Sequence, residues 1–507
     1  MNAAASRWSF PAAGVFFFTV LIWLLPPAVS VRSDDFSYLD SVVATIQAGR
    51  LRPTEWLAPL NIPLPLISWG VWKLSGSFYL STVGVGAAIA LAGFLLLRAW
   101  LRGSLPEGTA VDLVALGVAL CPVWLNKSVE FTGVPLELAC LLGALLAWRR
   151  GWWLLFLLAT LVGVANRQSA ACLLAFPAVE LARGFWRKGH LDRRLLALLV
   201  TAVAAVGLIV LLAPPTFGRT WAMAHLRAVF DPVRFAAVWL AGLLLCAALR
   251  AGWGLVAGGS VLQPLRRNLQ RPWGPVIVLA IGAGLLWTGG FDLLCETPGW
   301  TRYSGLLVMA ATVLAAGWGD WEHRPEVGVL AFVGLYTGLV AWHLYLWDYY
   351  FLAPALVLAS SGVRPAAALW RPWLAWGLLG GALAYAGFLH GFLRTDEQKV
   401  ALYERALRAG TLTIAEASDA PFGYLAWKLF PVARQNGAPD LTDFLKYVQW
   451  GRSRCFHGTI VFFREGTRPS VHPSGELWPL PANYQDRRFP LSDHEWSAFL
   501  SARAGPP

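Results

Sequence analysis

Charge is what this sequence lacks. Only 14% of its 507 residues are Asp, Glu, Lys or Arg, whereas 57% are hydrophobic and the mean hydropathy is +0.54. One soluble core cannot hide that much apolar surface, which excludes a water-soluble enzyme and points to a chain that crosses a bilayer many times. Acidic residues are the scarcer sign, 29 against 41 Lys and Arg, for a net charge of +12. The cations are spread over successive short segments and do not form one interleaved basic and aromatic face, so no nucleic-acid partner is expected. Cysteine is sparse too, with six residues that show no metal-ligand spacing. Cys121, Cys140, Cys172 and Cys246 fall within apolar runs, which leaves Cys295 and Cys455 as the pair a disulfide could join outside the membrane.

What the chain has in abundance is apolar length. About thirteen spans of helical membrane-crossing character can be drawn, at roughly 1.5 Å per residue against roughly 30 Å of hydrocarbon. They lie near 10–31, 80–97, 111–125, 133–148, 152–165, 169–182, 195–213, 235–256, 275–290, 303–318, 327–346, 351–363 and 373–393. Arg7 and Ala28-Val29-Ser30 give the first run some features of a cleaved signal peptide, but its length and the many spans behind it favour retention. With a cytoplasmic amino terminus, the inside connections hold Arg98 and Arg102, Arg149-Arg150, Arg183 through Arg194, Arg266-Arg267 and Arg271, Arg324, Arg364 and Arg371, a positive-inside pattern. The 28 Trp residues fit as interfacial anchors, for example Trp152-Trp153 and the group Trp370, Trp373 and Trp376. Past Leu393 the composition becomes that of a soluble domain. Helical patterns at 396–409, 441–450 and 492–502 and a strand pattern at 458–464 predict a small α/β unit, without a nucleotide-binding glycine loop, zinc spacing or Ser/His/Asp arrangement. The fold expected is therefore mainly α: a polytopic helical membrane domain over 1–393 with outer surface helices, and a C-terminal extracytoplasmic α/β domain over 394–507.

Just past the first run stands the acidic pair Asp34-Asp35. Ser33 can cap a helix beginning there, and Phe36, Leu39, Val43 and Ile46 form an apolar stripe that stops before Gly49, the pattern of an amphipathic helix on the membrane surface. A helix N-terminus favours ionised carboxylates, while two adjacent ones oppose each other, so at least one is charged at neutral pH. Two aspartates in a first turn can also be helix-start residues and nothing more.

The alternating topology gathers other polar residues on the same outer side. Asn126, Lys127 and Glu130 precede the fourth span, and Asn166, Arg167 and Gln168 form a short turn. Asp292, Glu296 and Arg302 precede the tenth span, and His343, Asp348, Tyr349 and Tyr350 link the eleventh to the twelfth. Charge at membrane depth usually faces a cavity or a partner, so these residues together suggest a polar cavity open to the outside. Each also has a plainer reading: Arg302 as an interfacial anchor, Lys127 as a snorkelling side chain, His343 as a packed histidine, Tyr349-Tyr350 as part of an aromatic belt.

Several segments then line up in order: Ser33-Asp34-Asp35-Phe36-Ser37-Tyr38, Gly49, the Pro63/Pro65 segment leading to Leu74-Ser75-Gly76, and Asp348-Tyr349-Tyr350-Phe351-Leu352-Ala353-Pro354. Together they resemble the GT-C superfamily of integral-membrane glycosyltransferases, in particular the bacterial branch of aminoarabinose, galacturonosyl and protein O-mannosyl transferases. The resemblance implies an enzyme of the bacterial cytoplasmic (inner) membrane that moves a sugar from a polyprenyl-phosphate-linked donor to a lipid, glycan or protein acceptor at the extracytoplasmic face, with inversion. It implies that Asp34, with Asp35 behind it, is the catalytic base. Arg167, Arg302 and Lys127 are the candidates for the donor phosphate, since an Arg fork engages two phosphate oxygens. Glu130, Asp292, His343, Asp348, Tyr349 and Tyr350 are the candidates for the substrate cavity. No cofactor is required by any motif, although Asp34, Asp35 and Asp292 could hold a divalent cation. One departure stands out: aminoarabinose-type relatives often carry Lys-Pro-Pro where this chain reads Asn61-Ile62-Pro63-Leu64-Pro65, which leaves the donor sugar open. The same cavity would also suit a transporter or flippase of a lipid-linked intermediate, but no internal repeat is visible. A noncatalytic membrane scaffold is the third reading.

Overall fold

A computed structural model describes residues 3–27, 29, 35–53, 60–102, 109–213, 235, 239, 243, 246, 327–342, 352–360, 372–409, 470–471 and 476–477. They are overwhelmingly helical. The first helix, α1 (Ala3–Leu24), stops well before the end of the 10–31 apolar run, because Pro26-Pro27 can neither donate to the helical ladder nor tolerate a helical residue before them. A surface-length helix α2 (Asp35–Ala48) follows, and Gly49 closes it with a φ of 62° that costs a glycine nothing. Of its predicted stripe, Leu39, Val43 and Ile46 are buried, with Tyr38 and Val42 beside them, while the side chain of Phe36 lies outside the described residues. Next comes α3 (Pro63–Ser75), started by a proline in its first turn and stopped by Gly76 at φ 65°.

The second apolar run opens on a π-helical turn, Leu80–Gly84, that continues directly into α4 (Val85–Leu101). The third run is not one continuous helix. It is broken at Pro122 into α5 (Thr109–Ala119) and α6 (Pro122–Val129), whose axes differ by 63°. Helices α7 (Val134–Arg149) and α8 (Trp153–Asn166) form an antiparallel pair around Gly151, and α7 also lies along α4. The run at 169–182 is likewise divided, into a 3-10 segment Gln168–Leu174 and a largely amphipathic α9 (Ala175–Lys188). After it come α10 (Arg193–Leu212), α11 (Val327–Trp342), α12 (Leu352–Ser360) and α13 (Pro372–Ala409). The last is one 38-residue helix that runs without interruption through Leu393, where the sequence predicts a span followed by a separate soluble helix. A two-residue antiparallel pair, β1 (Ser470–Val471) with β2 (Glu476–Leu477), is what is described further on. The helices expected at 441–450 and 492–502 and the strand at 458–464 lie outside the described residues, as do Cys295 and Cys455.

Among the described residues two helices are long and apolar enough to cross a membrane, Leu80–Leu101 and Arg193–Leu212, or three if the bent pair is one broken span. Ala12–Leu24, Trp153–Asn166 and Val327–Val340 are shorter apolar helices, and the runs at 275–290 and 303–318 lie outside the described residues. A single apolar cluster joins α1, α4, α5, α7, α11 and α13, with Phe17 stacked on Phe94 at 4.7 Å. Arg98, expected in a basic connection, is instead 2% exposed and ion-paired with Asp112 across α4 and α5. At the other end of α1, Trp23 stacks on His390 at 4.1 Å, and Arg394 donates to the Leu25 carbonyl at 3.4 Å.

The α7–α8 seam depends on Gly163. A Cβ there would sit 2.9 Å from the Cβ of Ala170 and 3.2 Å from that of Cys140, atoms fixed to their own backbones. Gly163→Ala is therefore expected to destabilise the bundle by about 1–3 kcal/mol, as overpacking does. Thermal unfolding of the detergent-solubilised variant checks this; an unchanged midpoint contradicts the seam as described.

Candidate functional site

The amphipathic pattern of α2 seats it by its apolar stripe, and that seating brings it against the α6 end of the bundle. Leu39 of α2 shares a cleft with Leu25, Pro26, Val83, Ser128 and Glu130. Glu130 therefore lines a hollow bounded on one side by the helix that opens at Asp35. One turn back on α6, Lys127 donates from Nζ to Glu130 Oε2 at 2.5 Å, and both side chains are mostly buried, at 12% and 16% exposure. Neighbouring Asn126 accepts from the Tyr385 hydroxyl of α13 at 2.9 Å, so this polar turn is held from a distant part of the chain.

A second junction lies at Gly133, just before α7. A Cβ on it would stand 2.9 Å from Asn166 Oδ1 and 3.1 Å from Tyr38 Cε1, which shows how closely α2, the α6–α7 link and the end of α8 approach one another. Asn166 donates from Nδ2 to the Gly133 carbonyl at 2.7 Å, while its own backbone carbonyl accepts from Asn61 N at 3.0 Å. Ile62 N donates likewise to the Ala165 carbonyl at 2.9 Å. The first loop and the α8 turn are thus stitched together by main-chain bonds. Asn61 takes a left-handed φ of 46° to make this turn, a region that asparagine tolerates better than most residues. It is fully buried, and among the described residues neither amide atom of its side chain has a hydrogen-bond partner, nor has Asn166 Oδ1.

Arg167 stands just before the 3-10 segment, in extended conformation, and is buried. Its Nε pairs with Glu137 Oε2 at 3.2 Å. Glu137 projects from α7 and is 3% exposed. Its other oxygen accepts from the Tyr336 hydroxyl of α11 at 2.9 Å and from the Ser169 hydroxyl. A carboxylate at such depth is retained by this full set of donors, and the fork of Arg167 is held in a defined plane by it.

Of the residues singled out in the sequence, Lys127 and Glu130 are brought together at the cleft and Arg167 is brought to Glu137. Asp35 is the first residue of α2. Asp34, Asp292, Arg302, His343, Asp348, Tyr349 and Tyr350 lie outside the described residues. Sequence reasoning missed Glu137 and Tyr336, each a lone polar residue inside an apolar run; an intramembrane acid was the available signal for the first. Among the described residues no group of three or more His, Cys, Asp or Glu could hold a metal ion.

No family model matches this chain, and neither does any curated protein. Its structure is similar to the crystal structure of ArnT from Cupriavidus metallidurans bound to undecaprenyl phosphate, with 13% sequence identity and a TM-score of 0.35 over 80% of this chain and 81% of that one. Two chains alike at that level need not share an activity.

Proposed function

We propose that this protein is a membrane glycosyltransferase of the GT-C type, moving a sugar from a polyprenyl-phosphate-linked donor to an acceptor at the extracytoplasmic face of the bacterial inner membrane, with inversion. The observation that carries the reading is the seating of α2, which opens at Asp35, against the cleft lined by Glu130 and neighboured by Lys127. The ordered resemblance of the loop segments and the helices of membrane-crossing length support it.

In this reading the carboxylate of Asp34, with Asp35 behind it, accepts the proton of the acceptor hydroxyl or amine as that group attacks the anomeric carbon. The bond to phosphate breaks on the opposite face of the sugar, and the lipid phosphate leaves with the electron pair. Its charge is met by Lys127, Arg167 and Arg302, and no carboxylic acid is needed to protonate so good a leaving group. Glu130, Asp292, His343, Asp348, Tyr349 and Tyr350 are assigned to the cavity wall. Residues 1–393 form the catalytic domain and 394–507 an outer domain for acceptor docking or support.

Release of free polyprenyl phosphate is the test. Membranes containing the protein, supplied with labelled polyprenyl-phosphate sugars, are expected to release one equivalent of lipid phosphate per sugar transferred. Movement of the intact labelled lipid across the bilayer without release would establish a flippase in its place, and neither event would leave a scaffold.

A further inference from the structure

The connection between α9 and α10 carries chemistry that the proposed transferase site does not use. Helix α9 is buried over Ala175, Phe176 and Leu181, and then turns outward. Arg183, Phe185, Trp186 and Arg187 are all exposed, Phe185 by 53% and Trp186 by 88%. Gly189 stops the helix at φ 67°, and Asp192 caps α10 by accepting from the backbone N–H of Arg194 at 2.9 Å and of Leu195 at 3.3 Å. Arg193 and Arg194, both exposed, open that helix. None of these four arginines is ion-paired with a described residue.

The location gives this patch its meaning. Helix α10 has the length and apolarity to cross a membrane, and only 11% of its most apolar window is buried within the protein. Leu196, Val200, Val203 and Leu208 face outward along it. A helix so exposed is covered by hydrocarbon, which puts its opening arginines at the level of the lipid headgroups. Arg183 and Arg187, four residues apart, share one face of α9.

We propose that the α9–α10 connection is a docking surface for anionic phospholipid headgroups. The guanidinium forks of Arg183, Arg187, Arg193 and Arg194 bind headgroup phosphates, and the rings of Phe185 and Trp186 insert beside them at the interface. The two nearby acids do not reverse the sign: Asp192 is engaged as the cap, and Glu180, a neighbour of Arg183 on α9, offsets one of four arginines. A soluble anion would satisfy the arginines but would leave both rings in water; a bilayer satisfies both.

The full-length protein is reconstituted in nanodiscs of phosphatidylcholine and phosphatidylglycerol at four to one, extracted into mild detergent, and weighed with its retained lipids by native mass spectrometry. Phosphatidylglycerol is expected to be enriched over the supplied ratio. Replacing all four arginines by Gln is expected to return the retained lipids to near the supplied ratio, since each arginine lost weakens headgroup binding about fivefold. Salt provides a second arm that needs no variant: enrichment on the unaltered protein is expected to fall from 50 mM to 500 mM NaCl. Lipids retained in the supplied ratio, enrichment indifferent to salt, or equal enrichment in the Arg183→Gln/Arg187→Gln/Arg193→Gln/Arg194→Gln protein would each overturn the proposal. None of these readouts depends on sugar transfer.

Discussion

Asp34→Asn is expected to reduce sugar transfer by roughly 10²–10⁴-fold, the range that a positioned general base contributes. Asparagine keeps the size and the hydrogen-bond acceptor of the carboxylate but cannot take a proton, so acceptor binding survives and the chemical step fails. Asp35→Asn is expected to have a smaller effect, because the second carboxylate acts on the first through charge. It is the first residue of α2, at the helix end that favours negative charge. The measurement is initial rate in membranes with matched protein levels, over a range of acceptor concentrations. A fall in kcat with KM near its original value supports a base. Full activity in both single variants removes the proposed role of the pair and favours the scaffold reading.

The second large effect is on folding. Glu137→Ala is expected to cost about 3–5 kcal/mol, the penalty for leaving a buried charge without its partner. In the native protein Glu137 and Arg167 pair at 3.2 Å, with Tyr336 and Ser169 also donating to the same carboxylate. Removing the acid strands Arg167 and two hydroxyls in a region with little water. Glu137→Gln is expected to cost less, because the amide oxygen still accepts from Tyr336. The double replacement Glu137→Leu with Arg167→Leu is expected to recover much of the loss, since two apolar groups need no partners. Denaturation midpoints in detergent check the series. If the double variant regains stability but not transfer, Arg167 acts on substrate; if both return together, the pair is structural.

How far the sequence revealed these features follows from the range of each interaction. The stripe of α2 and its stop at Gly49 are local, a matter of periodicity and one backbone angle, and they were legible. The ends of the apolar runs were less so: hydropathy continues across Pro26-Pro27 and Pro122, where the helical ladder cannot. Arg98 looked like a loop cation because its partner Asp112 is separated from it by a turn of chain and a helix start. Lys127 and Glu130 were both singled out, but for separate roles, as a phosphate candidate and a cavity candidate; that they pair one helical turn apart is seen in the structure. The pairing of Arg167 with Glu137 was not, since it joins segments whose approach depends on the glycine-mediated fit of α7 against α8. Tyr336 is further still along the chain, and nothing in an apolar stretch reports which hydroxyl will face which acid.

Helix α13 has a mechanical consequence. With 38 residues it is about 57 Å long, at roughly 1.5 Å per residue, and it contains no interior proline. It is clamped to the first helix through His390 and Arg394, near its middle. It works as a lever with a fulcrum on α1: force applied at Ala409 is conveyed to the helical bundle through one continuous helix.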